Sequence, residues 1–151
     1  TTPDYDWERI DFWVNEGPAV IKNEGKIYIT FSASATGACY CMGLMEADED
    51  ADLLDRNSWT KSRYPVLETD ENKKIFGPGH NSFTVAQNGT PLCIYHARSY
   101  KDAVGDPSVV PESDKRPLEE IKDDPLYDPN RHARLMEVTF DKKGRPVFEF
   151  Y

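Results

Sequence analysis

The sequence is poor in cysteine, and the few cysteines it has do not form a disulfide framework. Three occur in 151 residues, and an odd number cannot all pair. Cys39 and Cys41 are too close along one strand for an easy bridge, and their spacing differs from that of zinc clusters. We interpret these two and Cys93 as small buried residues. Their lack of pairing slightly favours the cytoplasm over an oxidising exterior.

Basic residues and long apolar runs are also scarce. The chain has 18 Lys and Arg against 27 Asp and Glu, a net charge of -9, which repels nucleic-acid phosphates and anionic lipids. No stretch approaches the roughly 20 apolar residues that a membrane-spanning helix requires. Thr1 opens a polar segment without the layout of a signal peptide. The sequence therefore predicts a soluble protein that binds neither nucleic acid nor membrane, and it leaves neutral partners such as sugars open.

Alternating apolar and polar residues predict strands along much of the chain. Residues 26–32 and 91–97 alternate in this way and are rich in β-branched and aromatic side chains. Turn signals at residues 23–26 and 87–90 come just before them, so each forms a hairpin with an earlier strand. Further strand-like runs lie at residues 38–45, 134–140 and 146–151. No long segment has a helical period, so the predicted fold class is all-β.

A faint internal repeat divides the chain. Gly17-Pro18, a short strand, a turn and an aromatic strand recur from Gly77-Pro78 onward. Propeller blades are four-stranded antiparallel units that repeat at roughly 40–50 residues, with loops adding length. Two or three blades would fit here. Residues 100–130 hold five of the 11 prolines and are acidic, so we expect a long acidic, Pro-rich surface loop there.

Two short segments carry residues suited to chemistry. Glu16 follows two aromatic residues and precedes a Gly-Pro turn. This context suggests a carboxyl group exposed at the end of a strand beside apolar groups, as a general acid requires. Residues 77–82 form a Gly-rich turn that presents His80, without the lysine and helix of a phosphate loop. From spacing alone, Glu16 is better explained as an ordinary loop glutamate and His80 as a structural histidine.

Taken together, six segments resemble glycoside hydrolase family 43, particularly its arabinofuranosidase-like members. They are residues 14–18, 25–34, 57–61, 77–83, 95–98 and 127–134. Their order along nearly the whole chain is far more specific than any one of them. The resemblance implies a five-bladed β-propeller, with residues 1–151 as the C-terminal portion of its single catalytic domain. It also implies inverting hydrolysis of arabinose- or xylose-containing polysaccharides such as arabinan, arabinoxylan and xylan.

The resemblance also assigns roles to individual residues. Glu16, in its Asn-Glu-Gly-Pro context, matches the general acid that protonates the leaving oxygen. His80 matches a histidine at the propeller axis, where family members often hold a hydrated ion, commonly calcium. Arg131 lies where the family places an arginine against the sugar, and Arg134 is the second candidate.

The family's two catalytic aspartates are not matched. Both lie upstream of the acid segment, where this chain offers only Asp4, Asp6 and Asp11, none in the context of the base. A half-propeller exposes sheet edges and an apolar face, so we expect it to associate with an N-terminal half or with itself.

Three interpretations stay open: an enzyme half with the acid but not the base, a non-catalytic carbohydrate-binding or assembly module of propeller type, and a β-rich interaction domain without a sugar site.

Overall fold

Antiparallel sheets dominate the computed structural model, which describes all residues from Thr1 to Tyr151. The first sheet has the order β1-β2-β3-β4, with β1 Asn15–Asn23, β2 Lys26–Ala33, β3 Cys41–Asp48 and β4 Thr60–Lys61. The second has the order β5-β6-β7, with β5 Phe76–Val85, β6 Pro91–Arg98 and β7 His132–Glu137. A small third sheet pairs β8 Thr139–Phe140 with β9 Pro146–Val147. The predicted all-β, partial-propeller class is confirmed, although only the first sheet has the expected four strands.

Helices are short and lie outside the sheets. One α-helical turn, α1, spans Leu118–Ile121, and 3-10 turns occur at Asp6–Glu8, Arg56–Ser58, Pro107–Val109 and Pro125–Tyr127. None of the helices has the length and apolar character that crossing a membrane requires.

The predicted hairpins form with the expected turns. Asn23 pairs with Lys26 across the first turn, and Val85 pairs with Pro91 across the second. The run at residues 134–140, predicted as one strand, is divided at Val138. This residue is buried, and its N–H donates to the Pro91 carbonyl at 2.9 Å. The chain therefore turns there from the second sheet into the third.

The two Gly-Pro segments are strand bulges, so the predicted exposed turns are wrong. Pairing shifts between Glu16 and Ala19 in β1, and it shifts on both sides of Gly79 in β5. Gly17 has a φ of 56°, a left-handed value that glycine adopts at no steric cost. The internal repeat is thus a repeated bulge, which bends each strand and re-aims the side chains around it.

The main core lies between the sheets. Its buried members are Met42, Leu67, Ile75, Cys93, Tyr95, Ala97, Met136, Val138 and Phe148. Cys41 and Cys93 are buried, as predicted, and all three cysteines are free. Burial raises the pKa of both buried thiols to about 12. These two cysteines therefore act as small apolar residues, whereas Cys39 is half-buried.

Residues 100–130 contain no strand, but they carry α1 and two 3-10 turns that the sequence did not predict. Ile121 of α1 is 1% exposed. A buried ion pair anchors the segment, since Arg98 Nε lies 3.0 Å from Asp128 Oδ2 and both side chains are almost fully buried. The Tyr100 hydroxyl also donates to this carboxylate, at 2.9 Å. Removing one partner of such a pair generally costs about 3–5 kcal/mol, so this contact fixes where the segment leaves the second sheet.

Candidate active site

Two sheets meet where the candidate acid and histidine lie. The backbone N–H of His80 in β5 donates to Ser32 Oγ in β2 at 2.7 Å, and the Thr30 hydroxyl donates to Asn81 Oδ1 at 2.9 Å. Ser32 is the β2 partner of Glu16. These contacts bring the bulges of β1 and β5 side by side, so residues distant in sequence form one cluster.

Glu16, Tyr40 and His80 form the centre of this cluster. The Tyr40 hydroxyl donates a hydrogen bond to Glu16 Oε1. His80 Nδ1 lies 3.4 Å from the same oxygen and 3.5 Å from the Tyr40 hydroxyl. The Glu16 side chain is 37% exposed, whereas Tyr40 is 1% exposed. A solvent-accessible carboxyl group thus rests on a buried phenol.

The chemistry of Tyr40 follows from its surroundings. Burial and the hydrogen bond to Glu16 raise the pKa of Tyr40 well above its usual range. The phenol therefore keeps its proton at any physiological pH and serves as a donor.

A stack of rings supports Tyr40 from below. Its ring lies parallel to that of His96, with centroids 5.4 Å apart, and His96 stacks in turn on His80 at 6.4 Å. Burial, followed by the charge of Arg131, lowers the pKa of His96 to about 4, so this imidazole is neutral near pH 7. A Cβ at Gly79 would clash with the Tyr40 ring. Only glycine at this position lets the strand pass so close to the phenol.

The two candidate sugar-binding arginines lie in different surroundings. The positive charge of Arg131 contributes to the pKa shifts of both Tyr40 and His96. Arg134 is in β7, and its Nη2 donates to Ser99 Oγ at 2.8 Å. Contact of either arginine with a sugar stays a prediction.

The predicted ion at His80 has few ligands in this chain. Calcium takes 6–8 oxygen ligands, and no group of three or more His, Cys, Asp or Glu side chains is placed to hold a metal. The His80 side chain is 56% exposed and offers a single imidazole. With this donor set, a calcium ion here would have to keep most of its water, and its binding stays a prediction.

A cavity of about 640 Å³ opens beside Glu16. Its lining includes Phe12 and Trp13, which are 66% and 73% exposed. Arg116 and Leu126, from the segment 100–130, line it as well. Exposed aromatic faces next to an accessible carboxyl group are suited to a sugar ring, whose apolar face can stack while its hydroxyls bind polar neighbours.

The acidic residues upstream of Glu16 occupy separate places. Asp4 is 2.8 Å from Lys61 Nζ, and Asp6 starts a 3-10 turn. Asp11 is the member of this group that lines the cavity with Glu16. Asp124 lines it too, but it pairs with Arg116 at 2.8 Å.

The sequence did not indicate that Tyr40 lies at this site. It also did not indicate that residues between 116 and 126 line the cavity. Tyr40 directly precedes β3 and lies outside the segments that carry the family resemblance. The one signal available was Gly79, because a glycine in a strand often marks close approach of another group. The sequence, however, does not say which group that is.

Known arabinofuranosidases resemble this chain in sequence and structure. It is 46% identical over 147 residues to "Extracellular exo-alpha-(1->5)-L-arabinofuranosidase" of Streptomyces avermitilis and 42% identical over 147 residues to "Alpha-L-arabinofuranosidase 43" of Humicola insolens. Each alignment covers 97% of this chain but 27% of the relative. The crystal structure of an α-L-arabinofuranosidase from Lactobacillus brevis superimposes with a TM-score of 0.83 at 47% identity, covering 99% of this chain and 41% of that one.

The Streptomyces avermitilis relative is named as an extracellular enzyme, so the preference for the cytoplasm is wrong. That preference came from the unpaired cysteines. In the structure, Cys41 and Cys93 are shielded by burial. Thiols that cannot reach a partner say little about whether the protein's compartment is oxidising.

A family model described as "Glycosyl hydrolases family 43" matches residues 2–146. This range contains the paired bulges of β1 and β5 and the Glu16, Tyr40 and His80 cluster. The motif order in the sequence pointed to the same family, and that prediction is confirmed. With nearly the whole length matched and the relatives in agreement, the chain belongs to family 43 of the glycosyl hydrolases.

Proposed function

We propose that the protein containing this chain is an inverting α-L-arabinofuranosidase that releases arabinose from arabinan or arabinoxylan, with Glu16 as its general acid. The observation that carries this proposal is the accessible Glu16 carboxyl group, held by Tyr40 at the edge of an aromatic-lined cavity. Arabinose is favoured over xylose because both curated relatives described above are named as arabinofuranosidases. The Streptomyces name also supports a secreted protein.

In this mechanism Glu16 donates its proton to the leaving glycosidic oxygen. A second carboxylate, roughly 6.5–9.5 Å away, activates a water molecule on the opposite face of the sugar. Asp124 is already paired with Arg116, and Asp11 does not match the family's base. We therefore propose that residues 1–151 are the C-terminal portion of one propeller, and that the base comes from blades outside them.

Arg131 is our candidate for the contact with the bound sugar. The family resemblance assigns this position to the sugar-binding arginine, and the charge of Arg131 acts on Tyr40 and His96. Arg134 is the weaker candidate because its Nη2 is engaged by Ser99.

His80 is proposed to support a hydrated calcium ion on the propeller axis. Its imidazole is exposed and lies next to Glu16, and the ion would supply positive charge near the sugar. The hydration shell, rather than a cage of side chains, would provide most of the ligands.

His80→Ala should lower kcat while leaving KM comparatively unchanged, because the residue acts beside the acid rather than on the sugar. If the ion is present, a chelator should reproduce the loss in the wild type. The matched control is His132→Ala, which changes an exposed histidine of β7 and should leave turnover intact. Wild-type kinetics in His80→Ala would show that this histidine is only part of the strand bulge.

The proposed function is tested by following hydrolysis of linear arabinan by the complete protein with proton NMR. Arabinose should be the first product, and it should appear as the anomer opposite to that of the substrate. A retained anomer would exclude the inverting mechanism. Release of xylose from xylan, without arabinose from arabinan, would exclude arabinose as the sugar released. Binding of arabinan without any product would favour the alternative, a non-catalytic carbohydrate-binding module.

A further inference from the structure

We propose that Tyr40 is a positioning residue for the general acid, which holds Glu16 Oε1 so that the transferable proton is carried by Oε2. This inference rests on the proposed role of Glu16. Tyr40 is buried beneath the carboxyl group and acts through Glu16 rather than on the sugar.

The two oxygens of Glu16 have different surroundings. Oε1 accepts the Tyr40 hydroxyl and lies 3.4 Å from His80 Nδ1, whereas Oε2 makes no hydrogen bond within the chain. A protonated carboxyl group has one O–H donor and one carbonyl acceptor. Since Tyr40 donates to Oε1, that oxygen is the acceptor and the proton is on Oε2. The proton is thus on the oxygen that the chain leaves free for the leaving group.

The Tyr40 hydroxyl is held in place by its own packing. The backbone of Gly79 covers the ring closely, His96 stacks on it, and the Tyr40 N–H donates to the Gly37 carbonyl at 3.1 Å. A functional group is held accurately only when its supporting side chains are themselves locked. Tyr40 meets that condition, whereas Glu16 is partly exposed and has a flexible side chain.

The hydrogen bond also strengthens as the reaction proceeds. When Glu16 gives up its proton, it becomes a carboxylate, and the bond from Tyr40 becomes charge-assisted. An interaction that is stronger in the transition state than in the ground state accelerates the chemical step. The gain is largest where proton transfer is most needed, which is on substrates with poor leaving groups.

The test is Tyr40→Phe in the complete enzyme, which keeps the ring and removes only the hydroxyl. On an arabino-oligosaccharide, kcat should fall by roughly 10- to 100-fold, as expected for a hydrogen bond to a charged group. On an aryl arabinoside with an activated leaving group, the loss should be less than about threefold. KM should stay the same for both substrates.

Tyr28→Phe is the matched control. Tyr28 is a β2 residue, equally buried at 1% exposure, and its hydroxyl donates to the Gly144 carbonyl at 3.0 Å, away from Glu16. Its loss should reduce stability without changing the ratio of activities on the two substrates. In a Glu16→Gln background, Tyr40→Phe should add no further loss on the oligosaccharide, because its effect passes through the proton of Glu16.

The outcomes separate this proposal from the one on which it rests. If Glu16→Gln discriminates between the two substrates but Tyr40→Phe reduces both equally, or neither, the positioning role is overturned while the acid role stands. If Glu16→Gln itself does not discriminate, the acid role fails first. If the losses of activity from Glu16→Gln and Tyr40→Phe simply multiply in the double variant, the two substitutions act independently. That result would also overturn the proposal that Tyr40 acts through Glu16.

Discussion

In the complete enzyme, Glu16→Gln is expected to lower turnover of unactivated arabinosides by roughly 10²–10⁴-fold, the usual contribution of general-acid catalysis. Glutamine keeps the size and much of the hydrogen bonding of the side chain, including acceptance of the Tyr40 hydroxyl, but it has no proton to give. An aryl arabinoside whose leaving group departs as a stable anion needs little protonation. Its hydrolysis should therefore be far less affected. The measurement is kcat/KM for a series of substrates that differ only in leaving group.

Glu49→Gln is the matched control for this substitution. Glu49 is a half-exposed glutamate in the turn after β3, and it pairs with Lys22 on the surface. Exposed ion pairs of this kind contribute little to stability, so the control should retain wild-type kinetics. An equal loss on good and poor leaving groups in Glu16→Gln would assign the residue to sugar binding or folding instead of proton donation.

The strands were predictable because their pattern is local. Alternation in residues 26–32 and 91–97, with a turn before each, specifies hairpins whatever the rest of the chain does. The two strands of the small third sheet, Thr139–Phe140 and Pro146–Val147, likewise fall within the runs predicted as strands at residues 134–140 and 146–151. The break at Val138 was not predictable, because it depends on a contact with Pro91 that is distant in sequence.

The site was predictable only in part. Glu16 and His80 were proposed as site residues because they lie in short motifs with a recognisable order, and the structure places their side chains next to each other. Their local structure was predicted wrongly, since Gly-Pro in isolation signals a turn, and only pairing with β2 and β6 makes each segment a bulge. Tyr40 could not be found, because its role depends on three-dimensional proximity to Glu16 across the sheet.

The 151-residue chain purified alone should have no measurable glycosidase activity. Inversion requires a carboxylate on the opposite face of the sugar from Glu16. Of the carboxylates that share the cavity with Glu16, Asp124 is paired with Arg116, and Asp11 does not lie in the sequence context of the family's base. The assay is release of nitrophenol from an aryl arabinoside, with the complete protein as positive control.

The isolated chain should also associate with itself. β7 is the outer strand of a sheet with three strands instead of four, and its Leu135 side chain is 60% exposed. Unpaired edges and exposed apolar side chains favour contact with another chain. Light scattering should therefore give a mass above the 17.2 kDa of one chain.

Adding the remaining blades as a separate chain should restore activity and abolish self-association. On the proposed function, those blades supply the base together with the surfaces that close the ring. Turnover and a defined heterodimeric mass should appear at the same mixing ratio. A monomeric isolated chain that hydrolyses the aryl arabinoside would contradict this account. The base would then be sought among Asp4, Asp6 and Asp11, and Asp11 would be tested first because it lines the cavity with Glu16.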